Sequence, residues 1–194
     1  MATANFGADT LATFLDRVAA HTPAPGGGAA AAVTASLAAG LVAMAGHFSG
    51  DHCDDSTAIV DRADHLRAQA LELAAQDAGA YGEVLAAYRL AKDDPDRPTR
   101  IRSALERAAD IPLAIARVGA TIATLGAALA RNGNPNLHGD AVIAVTLADA
   151  AARGAACLVR LNVALGELEG QRLDELADTL EMAADAAGLV GRAP

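Results

Sequence analysis

Apolar residues recur along this chain at alternating steps of three and four, with no stretch of period two. From Ile59 the series Ala63, Leu66, Ala70, Leu73, Asp77, Ala80, Val84, Ala87 and Ala91 runs without a break. Such a seam predicts a very long helix lying against an antiparallel neighbour. A second seam, Ile101, Leu105, Ala108, Ile111, Ile115, Val118, Ile122, Leu125 and Leu129, predicts that neighbour. Pro112 falls inside it and, because the seam resumes in phase, is expected to kink the helix rather than end it. Leu11, Phe14, Leu15 and Val18 predict a short amphipathic helix capped near Asp9 or Thr10. An apolar run predicts another from about Gly28 to Phe48. Asp140 reads as the cap of a helix reaching about Leu165, and a last one covers Leu173 to about Leu189. Ser49–Ser56, Asp93–Pro98 and Asn132–Gly139 are the polar breaks and turns. The expected fold is all-α: a helical bundle with two long antiparallel helices, one kinked at a proline, in a single domain over residues 1–194.

Composition narrows the picture. Apolar residues make up 53% but aromatics only 3%, so alanine and leucine must fill the interior and helix axes can approach closely. A net charge of −9 excludes a nucleic-acid partner, since nothing here neutralises a row of phosphates. Ala29–Ala45 is apolar, yet it is mostly alanine and holds Thr34 and Ser36, which favours a buried helix over a membrane span. No charged segment precedes a hydrophobic leader, so the cytoplasm is the expected location. Cys53 and Cys157 show no spacing pattern and are expected as reduced thiols. Seams this long leave apolar faces that six helices do not obviously cover, which points to a homodimer.

The most distinctive local stretch is His21-Thr-Pro-Ala-Pro-Gly-Gly-Gly28, which leads into the alanine run. Glycines there let a ligand approach the unpaired N–H groups of a helix's first turn, which favours an anionic or carbonyl-bearing molecule. They would equally serve as a hinge that packs tightly. Neither nucleotide-loop spacing is present. Asp77 interrupts an apolar seam; a carboxylate there is costly unless paired, and burial raises its pKa, so it is a candidate acid or base or else an ion-pair partner. Asp140 is at least a cap, and it follows a turn crowded with Asn132, Asn134, Asn136 and His138. Lys92 lies fifteen residues beyond Asp77, about 22 Å along a helix axis at about 1.5 Å per residue, so the two cannot meet at one atom within one subunit. Asp149, Arg153 and Arg160 share a helix face and read best as an ion-pair row. Asp51-His-Cys-Asp-Asp55 offers metal-ligand types, but without a second cluster it reads as a solvated turn, and no metal is expected. No Ser/His/Asp or Cys/His set can be assembled from spacing.

Three segments taken together resemble the cyclodeaminase/cyclohydrolase family of folate enzymes. They are Thr22-Pro-Ala-Pro-Gly-Gly-Gly-Ala-Ala-Ala31; Asp77 to Tyr81 continuing to Leu90-Ala-Lys92; and Asn134-Pro-Asn136 to Asp140 with Arg153-Gly-Ala-Ala156 and Val159-Arg-Leu-Asn162. Ala108-Ala-Asp-Ile-Pro112 matches as well. The resemblance implies an all-helical homodimer that either hydrolyses 5,10-methenyltetrahydrofolate to the 10-formyl form or cyclises 5-formiminotetrahydrofolate with loss of ammonia. No metal or redox cofactor is implied. Asp77, Asp140 and Lys92 would be catalytic. Pro25, Gly26, Gly27, Gly28, Tyr81, Asn136, His138, Arg160 and Asn162 would bind substrate. The chain departs from the family pattern at Ala29 and Gly139, where relatives carry Ser, and at Leu158, where they carry Asn. Each change removes a polar side chain, and the acidic run Asp51–Asp55 lies where relatives often have lysines. A diverged enzyme closing or opening a C–N ring on a non-folate molecule is therefore the alternative, and a helical binding module without chemistry is a third.

Overall fold

The computed structural model describes residues 6–191, and among them every regular element is helical. Six α-helices follow in order: α1 (Leu11–Ala19), α2 (Gly27–His47), α3 (Ser56–Tyr88), α4 (Arg97–Asn132), α5 (His138–Gly166) and α6 (Gln171–Val190). Short turns make α2 to α5 run alternately up and down. Each packs on the next, α2 also packs on α5 to close the ring, and α6 lies in the groove between α4 and α5. The expected pair of long helices is α3 and α4, of 33 and 36 residues; α5, at 29 residues, is a third.

Both seams face the core. Along α3, Ile59, Ala63, Leu66, Ala70, Leu73, Ala80, Val84 and Ala87 are buried, whereas Ala91 lies past the helix end. Along α4, Leu105, Ala108, Ile111, Ile115, Val118, Ile122 and Leu129 are buried, Leu125 is partly so, and the helix continues through Pro112. Alanine dictates the closeness of the packing. A Cβ on Gly119 would lie 2.8 Å from the Ala148 carbonyl and one on Gly126 2.9 Å from Val145, so α4 and α5 meet nearly backbone to backbone. Ion pairs of Arg172 with Asp110 (2.6 Å) and of Arg117 with Glu175 tie α6 to α4. By length and hydropathy alone, α2, α4 and Pro135–Gly166 could each cross a membrane. Here each is roughly half buried against the other helices of the bundle.

Three local expectations change. Thr10 does cap α1, accepting from the Thr13 N–H at 3.1 Å, but only Phe14 of its apolar face is buried; Leu11, Leu15 and Val18 are exposed. Asp140 is not the cap of α5. The helix starts at His138, so Asp140 sits in its first turn, where the helix dipole favours a carboxylate. Lys92 does not end α3. The helix stops at Tyr88, whose carbonyl takes a hydrogen bond from the Arg97 guanidinium (3.4 Å), and Lys92 is exposed in the turn beyond.

Candidate functional site

Up–down packing gathers four chain segments at one end of the bundle: the start of α2, the last third of α3, the first third of α4 and the end of α5. Between them lies a pocket of about 480 Å³, within the size range of small-molecule sites. Its floor is Gly26, Gly27 and Gly28. Asp77 and Tyr81 line it from α3, one turn apart, and Asn162 lines it from α5. Leu158, Leu161 and Leu165 form an apolar wall on the same helix. Sequence reasoning flagged only Leu158, as a departure from the family pattern, and missed Leu161 and Leu165, although the i, i+3, i+7 spacing on α5 is a stripe that could have shown them.

The glycines do distinct things. A Cβ added to Gly28 would lie 2.0 Å from Asp77 Oδ1 and 2.3 Å from its Cγ. The absence of a side chain at 28 therefore lets the carboxylate seat itself against the first turn of α2. A Cβ on Gly26 or Gly27 would meet nothing within 4 Å, so these two leave open space in the pocket. The hinge reading is too simple: Gly28 packs tightly against a functional group, while its neighbours keep the floor bare.

Asp77 is the sole charged residue among those lining the pocket. Two opposing effects act on it. Burial among apolar neighbours raises its pKa, and the Ala29 backbone N–H facing the carboxylate lowers it by less, so the net shift is upward. No arginine or lysine reaches it among the described residues, so it is not one half of an ion pair. A half-buried carboxylate with an elevated pKa, beside free space, is suited to taking and returning a proton.

Asn162 is fixed by a long-range contact: its Nδ2 donates to the Ala108 carbonyl on α4 at 2.7 Å. Pro25 is buried just below the glycines but does not line the pocket.

The remaining candidates lie elsewhere. Asn136, His138 and Asp140 are at the opposite end of the bundle, where α2 and α4 end and α5 begins. Asp140 and Asn162 are 22 residues apart on one helix, about 33 Å at about 1.5 Å per residue. His138 Nδ1 bonds the Ala130 carbonyl (2.9 Å), and the Asn136 N–H donates to Asn134 Oδ1 (3.0 Å). Asn134 in turn donates through its N–H to Ser49 Oγ (2.9 Å) and through Nδ2 to the Phe48 carbonyl (2.9 Å). Arg160 is exposed on α5, outside the pocket, while Arg153 pairs with Asp149 at 2.8 Å. Among the described residues, no three His, Cys, Asp or Glu side chains converge on a point that could hold a metal ion.

A family model described as formiminotransferase-cyclodeaminase matches residues 10–180. A methenyltetrahydrofolate cyclohydrolase of Methylorubrum extorquens is 32% identical, over 96% of this chain and 91% of that one. The formimidoyltransferase-cyclodeaminase of Rattus norvegicus is 29% identical over 79% of this chain, which spans only 30% of the rat protein. The crystal structure of formiminotetrahydrofolate cyclodeaminase from Thermotoga maritima superposes with a TM-score of 0.87 at 27% identity, covering 96% of both chains. The family model spans most of the chain and the cyclohydrolase relative matches it over nearly its whole length, so the chain belongs to the formiminotransferase-cyclodeaminase family.

Proposed function

We propose that this chain is a folate one-carbon enzyme that works on the carbon bridging two nitrogens of a reduced folate. It would either hydrolyse 5,10-methenyltetrahydrofolate to 10-formyltetrahydrofolate or cyclise 5-formiminotetrahydrofolate with release of ammonia. The observation that carries this reading is Asp77, a carboxylate of raised pKa seated on the first turn of α2 in a largely apolar pocket. The cyclohydrolase relative matches over nearly the whole of both chains, so hydrolysis is the reaction to test first.

In the hydrolytic direction, water adds to the bridging carbon and Asp77 takes one of its protons. The bond from that carbon to N5 then breaks, Asp77 returns the proton to N5, and the hydroxyl proton passes to solvent as the formyl group forms. In the cyclising direction, N10 adds to the formimino carbon. The exocyclic nitrogen leaves as ammonia after receiving the proton that N10 gave up and a second from solvent. While ionised, Asp77 also steadies the amidinium cation common to both routes. No resident metal or redox cofactor enters either sequence. Lys92, in the turn beyond α3, would meet a carboxylate at the far end of a long ligand.

A homodimer would complete the site. An apolar stripe runs the length of α5 through Ile143, Ala150, Gly154, Leu161 and Leu165, with Leu37 and Phe48 exposed on the adjoining α2. A second copy packed antiparallel there, with the two-fold axis near Gly154, would set its residue 143 opposite residue 165. Its Asn136–Asp140 turn would then reach the pocket that its own chain holds about 33 Å away. This accounts for Asp140, which is otherwise remote.

The assay is loss of methenyltetrahydrofolate absorbance, run beside ammonia release from formiminotetrahydrofolate. Acceleration by wild type and its loss in Asp77→Asn support the reading; normal turnover in Asp77→Asn removes the assigned base. The alternative of a non-folate substrate rests on Leu158 in the wall and on the lack of any cation in the pocket. Tight calorimetric binding of a reduced folate would exclude it.

A further inference from the structure

We infer that Pro112 is a positioning residue for this pocket, acting through the Ala108 carbonyl on Asn162; the inference rests on the reading of the pocket as the substrate site. In an α-helix each carbonyl accepts the N–H four residues on. Four residues on from Ala108 is Pro112, which has no N–H. The Ala108 carbonyl is thereby left open in the middle of α4, a helix that runs unbroken from Arg97 to Asn132. It is the same carbonyl that Asn162 reaches from α5 at 2.7 Å, and both residues line the pocket.

The contact decides which end of the carboxamide faces the ligand. A carbonyl oxygen only accepts, so Asn162 must turn its amino group to Ala108 and leave Oδ1 pointing away. Among the described residues no protein donor reaches Oδ1. The pocket therefore presents two acceptors, the Asp77 carboxylate seated on the glycine floor and Asn162 Oδ1 on α5. A ligand with an N–H donor at Asn162 is accepted, and one with a carbonyl there is refused. Proline is the residue least suited to a helix interior, and here the missing hydrogen bond becomes the anchor of a recognition group.

Restoring the N–H tests this. Pro112→Ala closes the helical bond to Ala108 and frees the carboxamide to turn. With methenyltetrahydrofolate as the probe, Pro112→Ala and Asn162→Ala are each expected to raise KM about ten-fold with kcat nearly kept, the effect of losing one aligned hydrogen bond. The double variant should also be about ten-fold impaired rather than about a hundred-fold, because one acts through the other. Additive costs, or an unchanged KM in Pro112→Ala, overturn the inference. Asn162→Asp keeps an acceptor toward the pocket but cannot donate to Ala108; wild-type KM in that variant overturns it too, whether or not Pro112→Ala folds. If wild type does not turn over this folate, the functional reading fails while the positioning remains testable. The Asn162 side-chain amide resonance, assigned by its loss in Asn162→Ala, should exchange slowly in wild type and shift toward free-carboxamide values in Pro112→Ala. An unmoved resonance refutes the role.

Discussion

Replacing Gly28 by alanine perturbs the site through a single methyl group. That methyl would lie 2.0 Å from Asp77 Oδ1, whereas ordinary contact begins at 3.4 Å, so the carboxylate must retreat by about 1.4 Å, the difference between the two. Retreat takes it away from the Ala29 N–H, which favours the ionised carboxylate, so that support is lost. Alanine in place of glycine returns up to about 1 kcal/mol of helix propensity, and Asp77 gains hydration as it moves outward, so the net change in stability is small. Activity is another matter. A displacement of about 1 Å at a reacting group costs on the order of a hundred-fold in rate. The expected result is therefore a folded variant with kcat about a hundred-fold below wild type in the methenyltetrahydrofolate absorbance assay, and a melting temperature within a few degrees. Gly188→Ala in α6, where an added Cβ meets nothing, is the control for the helical effect of glycine replacement. If Gly28→Ala retains wild-type kcat, Asp77 does not depend on its seat against α2, and the account of the catalytic group fails.

Three further outcomes follow from the same geometry. Because burial raises the Asp77 pKa, its neutral form is favoured in the native state; that stability is fully present below the unfolded value of about 3.9 and is lost as pH rises through the native pKa. Asp77→Asn should then be more stable than wild type at neutral pH, with the gap closing toward pH 4 in denaturant titrations; a variant less stable at pH 7 would contradict the sign. Asp77→Asn and Asp140→Asn should each be inactive alone, yet recover activity when co-expressed, since one of the two sites in a mixed dimer is intact; no recovery would refute a shared site. Ser49→Ala at the far end should cost about 1–3 kcal/mol, because buried Ser49 Oγ accepts the Asn134 N–H and donates to the Ala45 carbonyl (2.7 Å). A melt equal to wild type would show this contact to be inert.

Periodicity alone determined the helices of this protein: the seams from Ile59 and Ile101 face the core because a 3.6-residue turn leaves them no other side to occupy. The glycine run and Asp77 were also legible, one because three adjacent glycines serve no ordinary helix, the other because a carboxylate in an apolar seam demands a reason. Helix ends were less so, since Tyr88 is where α3 stops only once Arg97 returns to take its carbonyl. Tertiary structure alone decided which of these features meet. Gly28 and Asp77 lie 49 positions apart and touch because α2 and α3 run antiparallel at close range. Asp140 and Asn162 share a helix and yet stand at opposite ends of the bundle. The pairing of Asn162 with the carbonyl that Pro112 leaves open spans 54 positions of chain. A periodic pattern specifies which face of a helix turns inward, but not which turn of one helix stands level with which turn of the next. That register comes from small side chains closing across many contacts at once.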